Sequence, residues 1–291
     1  MLKRFAVLWF ALLVAAALSA AAESTGNAAE TLREAFGPEY EIMLHLDDTR
    51  VLDDEHNLAE WVRTRLETGE KCQGYGVIYL DTPERDYLHS GWINRIRVKE
   101  GKKKYTFTFK KRYPVHGGNV ESALDAALAD GFTPADPDIS AEIDWGYNRM
   151  TLSLTAEAEL KLEEKADIHH LESGEAARLT AAYMPPQERN RANQSQAAPE
   201  AGVLEKIGPL RFVRYTGTLE RHSVRIEIWP MPFSGEMLRY VTEFSAKCKT
   251  AEEAVKLRED CIRALDEMGI LLHDDTFKSE WILRRQEKAS Q

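Results

Sequence analysis

Cysteine is scarce in this chain: Cys72, Cys248 and Cys261 are the three in 291 residues. They form no Cys-x-x-Cys pair and no Cys/His spacing of the kind that holds zinc, which excludes a zinc-ribbon or finger. All three read as structural residues, and an odd count leaves one thiol over. The short loop between Cys248 and Cys261 makes that pair the first to test as a disulfide. Positive charge is also short, with 38 Lys and Arg against 48 Asp and Glu, a formal net charge of −10. Bulk nucleic-acid binding needs a basic surface and is excluded on that ground. A local basic pocket for a small anion is not, although it has to work against the long-range field. No apolar run after Leu18 is long enough to span a bilayer, and no clear internal repeat is visible.

What apolar length there is lies at the N-terminus. Lys3 and Arg4 precede a run from Phe5 to Leu18, followed by "SAAAES". A basic start, an apolar stretch and small residues predict a cleaved signal peptide over 1–22. A polar leader over 23–37 follows. The run falls short of the ~20 residues a membrane span needs, and no cysteine sits at its end to carry a lipid. The predicted product is secreted or periplasmic, without stable membrane association after cleavage. A leader carrying Lys3 and Arg4 and no acid takes two positive charges with it, moving the net charge from −10 to −12.

From residue 38 the chain is rich in strand patterns. "EYEIMLHL" alternates, with Ile42, Leu44 and Leu46 on one face and Glu39, Glu41, Met43 and His45 on the other. "YGVIYLD", "WINRIRV" and "KYTFTFKKR" follow, the last two joined by a Gly-centred hairpin turn in "KEGKKK". A second group comprises "AEID", "RMTLSLTAE", "PLRFVRYTGTL", "HSVRIEIWP" and "MLRYVTEFSAK". Helices are predicted in "DDEHNLAEWVRTRLE", capped by Asp53 or Asp54 with Leu58, Trp61, Val62 and Leu66 inward, and in "NVESALDAALADGF". A third falls in "TAEEAVKLREDCIRALDEMGI", where Ala254, Leu257, Cys261 and Leu265 recur at helical spacing and Gly269 is a stop. "LKLEEKADIHHLESGEAARLTAAY" is partly helical, with His169 and His170 facing solvent. A flexible insert is predicted at about 185–200, and a final strand at "TFKSEWIL". These elements predict one domain over 38–285.

Each strand has one charged face. Arg95 and Arg97 share a side, as do Thr106, Thr108, Lys110 and Arg112, whereas Phe107 and Phe109 take the other. Arg225 and Glu227 share a face, and so do Glu243, Ser245 and Lys247; Arg214 is a further candidate. Such strands fit an antiparallel barrel with a polar interior, or a sandwich with its charges in solvent. If the faces point inward, Arg forks and Lys point charges suit a polyphosphate. Carboxylates then suit Mg²⁺ or Mn²⁺ bridging to it.

"YLDTPERDYLHSGWINRIRV" followed by "TFTFKKR" resembles the CYTH superfamily, the triphosphate tunnel metalloenzymes. The matching positions are Tyr79, Asp81, Thr82, Pro83, Leu88, Gly91, Arg95, Ile96, Arg97, Thr108 and Lys110. "YVTEFSAKCKTAEEA" is similar to the family's Glu-containing strand and the helix after it, and "DDTFKSEWIL" to its Lys-Ser ending. The resemblance spans residues 38–283 in scattered blocks. It implies an α+β fold built on an eight-stranded antiparallel β-barrel, or tunnel, with flanking helices. Members include adenylate cyclases, thiamine triphosphatases, RNA triphosphatases and tripolyphosphatases.

The resemblance further implies that Arg95, Arg97, Lys110, Arg112, Arg214, Arg225 and Lys247 bind a small anionic phosphate ligand. Glu39, Glu41, Glu227 and Glu243 would hold Mg or Mn, and Glu41 would be catalytic. The family's first strand reads Glu-x-Glu-x-Lys, whereas Met43 follows Glu39 and Glu41 here; a register starting at Glu41 puts Met43 and His45 in the last two places. Ser245 stands where a second carboxylate is common. Two functions therefore stay open for an exported, divergent member: a metal-dependent triphosphatase, and a binding protein for polyphosphate or another anion without turnover.

Overall fold

The computed structural model describes residues 33–189, 204–231 and 239–289, with backbone alone for 284–289. The predicted signal peptide, most of the polar leader and most of the insert at 185–200 lie outside these residues. Nine strands carry the fold. In chain order they are β1 (Glu39–Leu46), β2 (Gln73–Asp81), β3 (Trp92–Lys99), β4 (Lys104–Pro114), β5 (Ile139–Trp145), β6 (Met150–Lys161), β7 (Glu205–Leu219), β8 (His222–Met231) and β9 (Arg239–Cys248). Their order in space is β1-β5-β6-β4-β3-β2-β7-β8-β9, and β9 pairs back onto β1 to close a barrel. A two-residue strand, β10 (Leu271–Leu272), pairs with the far end of β1.

The expectation of eight antiparallel strands is corrected on both counts: the barrel has nine strands and is mixed. β1 and β5 run parallel, Glu39 opposite Glu142 and Glu41 opposite Asp144. The connection from β4 to β5 passes through a helix and brings β5 in beside the start of β1, in the same direction. All other neighbours are antiparallel.

Period-two alternation puts Tyr40, Ile42, Leu44 and Leu46 of β1 in the main core and leaves Glu39, Glu41 and Met43 on the cavity. The main core is thus a shell between the barrel's apolar outer face and the helices packed on it. Those helices are α1 (Asp48–Val51), α2 (Glu60–Arg65), α3 (Asp86–His89), α4 (Val120–Ala129), α5 (Ser173–Tyr183) and α6 (Ala251–Glu267). In α6 the predicted face, Ala254, Leu257, Cys261 and Leu265, is buried. Thr250 and Glu253 close its N-terminus as a reciprocal capping box. Gly269, at φ +67°, ends the turn that follows.

Four local expectations change. α2 begins only after Ala59, and Asp53 instead accepts hydrogen bonds from the backbone of Glu55 and Asn57 in the preceding turn. Leu58, Val62 and Leu66 are buried, but Trp61 is 44% exposed. "TFKSEWIL" is a helix, α7 (Lys278–Ala289), because Ser279, Ile282 and Leu283 are buried at helical spacing. The three cysteines are free thiols rather than a disulfide and a remainder. Cys261 fills the core face of α6, where burial pushes its thiol up to about 12, and burial pushes Cys248 up to about 11. His169 and His170 are exposed, as expected.

α7 packs against the inside of the barrel. Its Ile282 and Leu283 join Val77, Leu88, Ile207 and Met231 in a second, smaller apolar cluster. One end of the barrel interior is therefore apolar and filled, and the charged faces are left around the remainder.

Candidate functional site

The stretch that raised the tunnel expectation divides into scaffold and wall. Asp81 is buried at the end of β2, and its carboxylate accepts from the backbone N–H groups of Thr82, Tyr87 and Leu88. Burial pushes this carboxyl up, and those three N–H groups oppose the shift. The Thr82 hydroxyl accepts from the Asp86 N–H. Asp-Thr-Pro thus fixes the turn through α3 that delivers β3. Gly91 enters β3 at φ +81°, where a Cβ would lie 2.9 Å from the Arg112 carbonyl oxygen. Only a residue without a side chain lets β3 approach β4 there.

Beyond that turn the barrel encloses a cavity of about 640 Å³. β3 supplies Arg95 and Arg97 to its wall, β4 supplies Lys110 and Arg112, and β7 and β8 supply Arg214, Arg225 and Glu227. β1 supplies Glu39 and Glu41, and β9 supplies Glu243 and Lys247. Every candidate site residue named from the sequence therefore lines one space. The cavity also takes in Glu142 of β5 and Glu157 of β6, neither of which was singled out from the sequence, and Lys278 of α7, the lysine of the Lys-Ser ending.

Charges in the wall are sorted into groups. Near the start of β1, oxygens of Glu41, Glu142 and Asp144 lie within 4.8 Å of one another. Lys110 Nζ is 3.4 Å from Asp144 and 3.7 Å from Glu142, and Lys247 pairs with Glu142 and lies 3.6 Å from Glu41. Burial and the neighbouring Glu41 push the Glu142 carboxyl up to about 7. Burial also pushes Asp144 up, but Lys110, Arg112 and the Ser153 hydroxyl, at 2.6 Å, outweigh it and hold the group below its usual range. Asp144 Oδ1 is buried without a hydrogen-bond partner among the described residues. An all-oxygen set with one unused buried carboxylate oxygen fits a hard divalent cation such as Mg²⁺ or Mn²⁺.

A second group lies on β7, β8 and β9, the last of which adjoins β1. Glu227 accepts from Arg214 Nε at 2.9 Å, from Trp229 Nε1 at 2.9 Å and from Lys278 Nζ at 2.6 Å. The same ammonium pairs with Glu243. Burial raises the Glu227 carboxyl, and Lys278 and Arg214 more than reverse this, leaving it well below the carboxylate range. Burial lowers Lys278, and its two carboxylates carry it well above the ordinary lysine value.

The third group is cationic. Arg97 is held below its ordinary value by burial and by Arg95 beside it, with Glu157 at 3.9 Å as a weak partner. Arg95 Nε is buried with no acceptor among the described residues. Arg112 stacks on Phe277, 3.8 Å to the ring centre, and donates to Ser279 Oγ at 2.9 Å, which ties β4 to α7. Two adjacent guanidiniums on one buried face are favourable only with an anion or water between them. The arrangement can therefore accept an anion beside a carboxylate cluster able to hold its counter-cation.

No protein-family model matches the chain, and no curated protein matches it. Its shape is similar to solved structures. A protein from Hippeastrum, named for adenylyl cyclase and described as having a dominant triphosphatase activity, superposes with a TM-score of 0.50 at 15% identity. That match covers 82% of this chain and 91% of the other. A protein from Bacillus halodurans named for adenylate cyclase gives 0.50 at 14% identity, over 84% and 97%. The closed barrel with flanking helices is a fold this chain shares with these two proteins.

Proposed function

We propose that this protein is a divalent-cation-dependent phosphohydrolase that acts on inorganic tripolyphosphate or an organic triphosphate inside the barrel. The observation that carries the reading is the juxtaposition of the Glu41–Glu142–Asp144 cluster, whose Glu41 and Glu142 line the cavity, with the Arg95–Arg97 face of the same cavity, where Glu157 at 3.9 Å is a weak partner of Arg97. Arg95, Arg97, Lys110 and Arg112 bind phosphate oxygens, with Arg214, Arg225 and Lys247 completing the basic wall. The acidic cluster holds Mg²⁺ or Mn²⁺, which when bound neutralises phosphate charge. Glu41 orients a water for attack on the terminal phosphorus. The bond from that phosphorus to its bridging oxygen breaks, releasing orthophosphate and the chain shortened by one phosphate. Phosphoryl transfer asks little more of a protein than position and charge. The basic, then apolar, start of the sequence supports reading this activity as one exported from the cytosol.

A binding protein without turnover is the second reading, favoured by Met43 and Ser245 on the cavity wall, where the family pattern has a lysine and often a carboxylate. Phosphate release from tripolyphosphate and from ATP, with Mg²⁺ or Mn²⁺ and with chelator, decides between them. Cation-dependent release supports the hydrolase. Tight tripolyphosphate binding with no release under any of these conditions supports the binding protein.

A further inference from the structure

Glu227 and Glu243 face each other across the β8–β9 ladder, where Glu227 is directly opposite Glu243. Two carboxylates so placed repel each other unless a cation lies between them. In this protein the cation is covalently attached. Lys278 Nζ reaches Glu227 Oε2 at 2.6 Å and pairs with Glu243 Oε1. Glu227 has no oxygen left to offer, since Arg214 takes Oε1 while Trp229 and Lys278 share Oε2. Lys278 is also held from behind. It opens α7, whose Ile282 and Leu283 are buried in the inner apolar cluster, and the adjoining Ser279 is bonded to Arg112.

The other acidic cluster is held differently. Lys110 stands off at 3.4 and 3.7 Å, Lys247 is bonded to Glu142 but its side chain is 38% exposed, and Asp144 keeps one oxygen with no partner among the described residues. Those lysines can turn away to a ligand and leave oxygens for a metal. The Lys278 side chain is only 16% exposed and is bonded to both carboxylates, so turning it away would leave two buried carboxylates without their shared cation.

Resting on the phosphohydrolase reading of this cavity, we propose that Lys278 is a built-in second cation. Its ammonium occupies the place between Glu227 and Glu243, so these two carboxylates bind no divalent ion. The charge that a second metal would bring to this side of the cavity is supplied by the helix.

Counting bound Mn²⁺ tests this without any turnover, using the electron paramagnetic resonance signal of free Mn²⁺ during titration of the full chain. Lys278→Met keeps the side-chain length and removes the charge. It is expected to bind one Mn²⁺ more than the wild type, and Mn²⁺ is expected to raise its melting temperature by more. Glu243→Gln is expected to bind the same number of ions as the wild type, with affinity unchanged within about threefold. Equal Mn²⁺ counts for wild type and a folded Lys278→Met would overturn the proposal. So would loss of an ion, or a tenfold weakening, in Glu243→Gln, and this variant decides the matter alone if Lys278→Met does not fold. Glu142→Gln separates the two readings. Loss of the wild-type ion there supports the Glu41–Glu142–Asp144 site, whereas a wild type that binds none, beside a Lys278→Met that binds one, removes that site and keeps the role of Lys278.

Discussion

Arg97 and Glu142 are the two side chains whose surroundings bear most directly on function. Arg97 is half-buried beside Arg95, and its nearest carboxylate among the described residues, Glu157, is 3.9 Å away, a weak partner that leaves donors for a ligand. A charge-assisted hydrogen bond contributes roughly 1.5–3 kcal/mol, and each 1.4 kcal/mol is about a factor of ten. Arg97→Ala is therefore expected to weaken tripolyphosphate binding about ten- to a hundredfold, as read by calorimetry in chelator. An unchanged affinity would remove the anion site altogether. Glu142 makes a prediction about pH. Its folded-state value, about 7, lies above the ordinary value of 4.5, so between these the folded protein holds a proton that the unfolded chain has released. Stability of the metal-free protein from this group is then present below about pH 4.5 and lost as pH rises through about 7. Asp144 and Glu227 are both shifted downward and have finished titrating below that window. Melting temperature in chelator should fall from about pH 5 to pH 8, and Glu142→Gln should flatten the slope. A slope unchanged in that variant would assign the effect to another group.

Among the elements, legibility tracked periodicity. β1 and α6 were readable because their apolar positions recur at 2.0 and 3.6 residues over long runs, with α6 also marked by Thr250, Glu253 and Gly269. α7 was misread because "TFKSEWIL" is too short to separate the two periods, and only its insertion into the barrel decides for a helix. Glu142 and Asp144 were within reach: they alternate in "AEID" as Glu39 and Glu41 do in β1. Their significance depends on the parallel β1–β5 pairing, which no local pattern encodes. Lys278 was legible as part of a Lys-Ser ending, but its pairing with Glu227 and Glu243 arises from contacts across 51 and 35 residues. The α6 cap is a local feature and carries a local prediction. Thr250→Ala removes one half of the capping box and should lower stability by about 1 kcal/mol, seen as a shifted denaturation midpoint with unchanged slope. Thr250→Ser should restore most of it.

For the molecule as a whole, cavity and net charge pull in opposite directions. Eight cationic and seven acidic side chains line the cavity among the described residues, so the interior is close to balanced and its attraction for an anion is local. The chain around it carries −10. A polyanion approaching from solvent meets the field of the whole protein first, and meets Arg95 and Arg97 only after entering. Salt acts differently at these two ranges. The Debye length falls from about 30 Å at 0.01 M to about 8 Å at 0.15 M, which removes the long-range repulsion and leaves contacts at hydrogen-bond distance less screened. Net charge of one sign acts mainly on encounter rates, whereas short, desolvated contacts set dissociation. The association rate of tripolyphosphate should therefore rise over that range of ionic strength, measured by stopped flow in chelator. A steep fall in association rate with salt, as basic steering surfaces produce, would mean that the cavity's cations are felt well outside the barrel. The charge segregation described for its wall would then be incorrect.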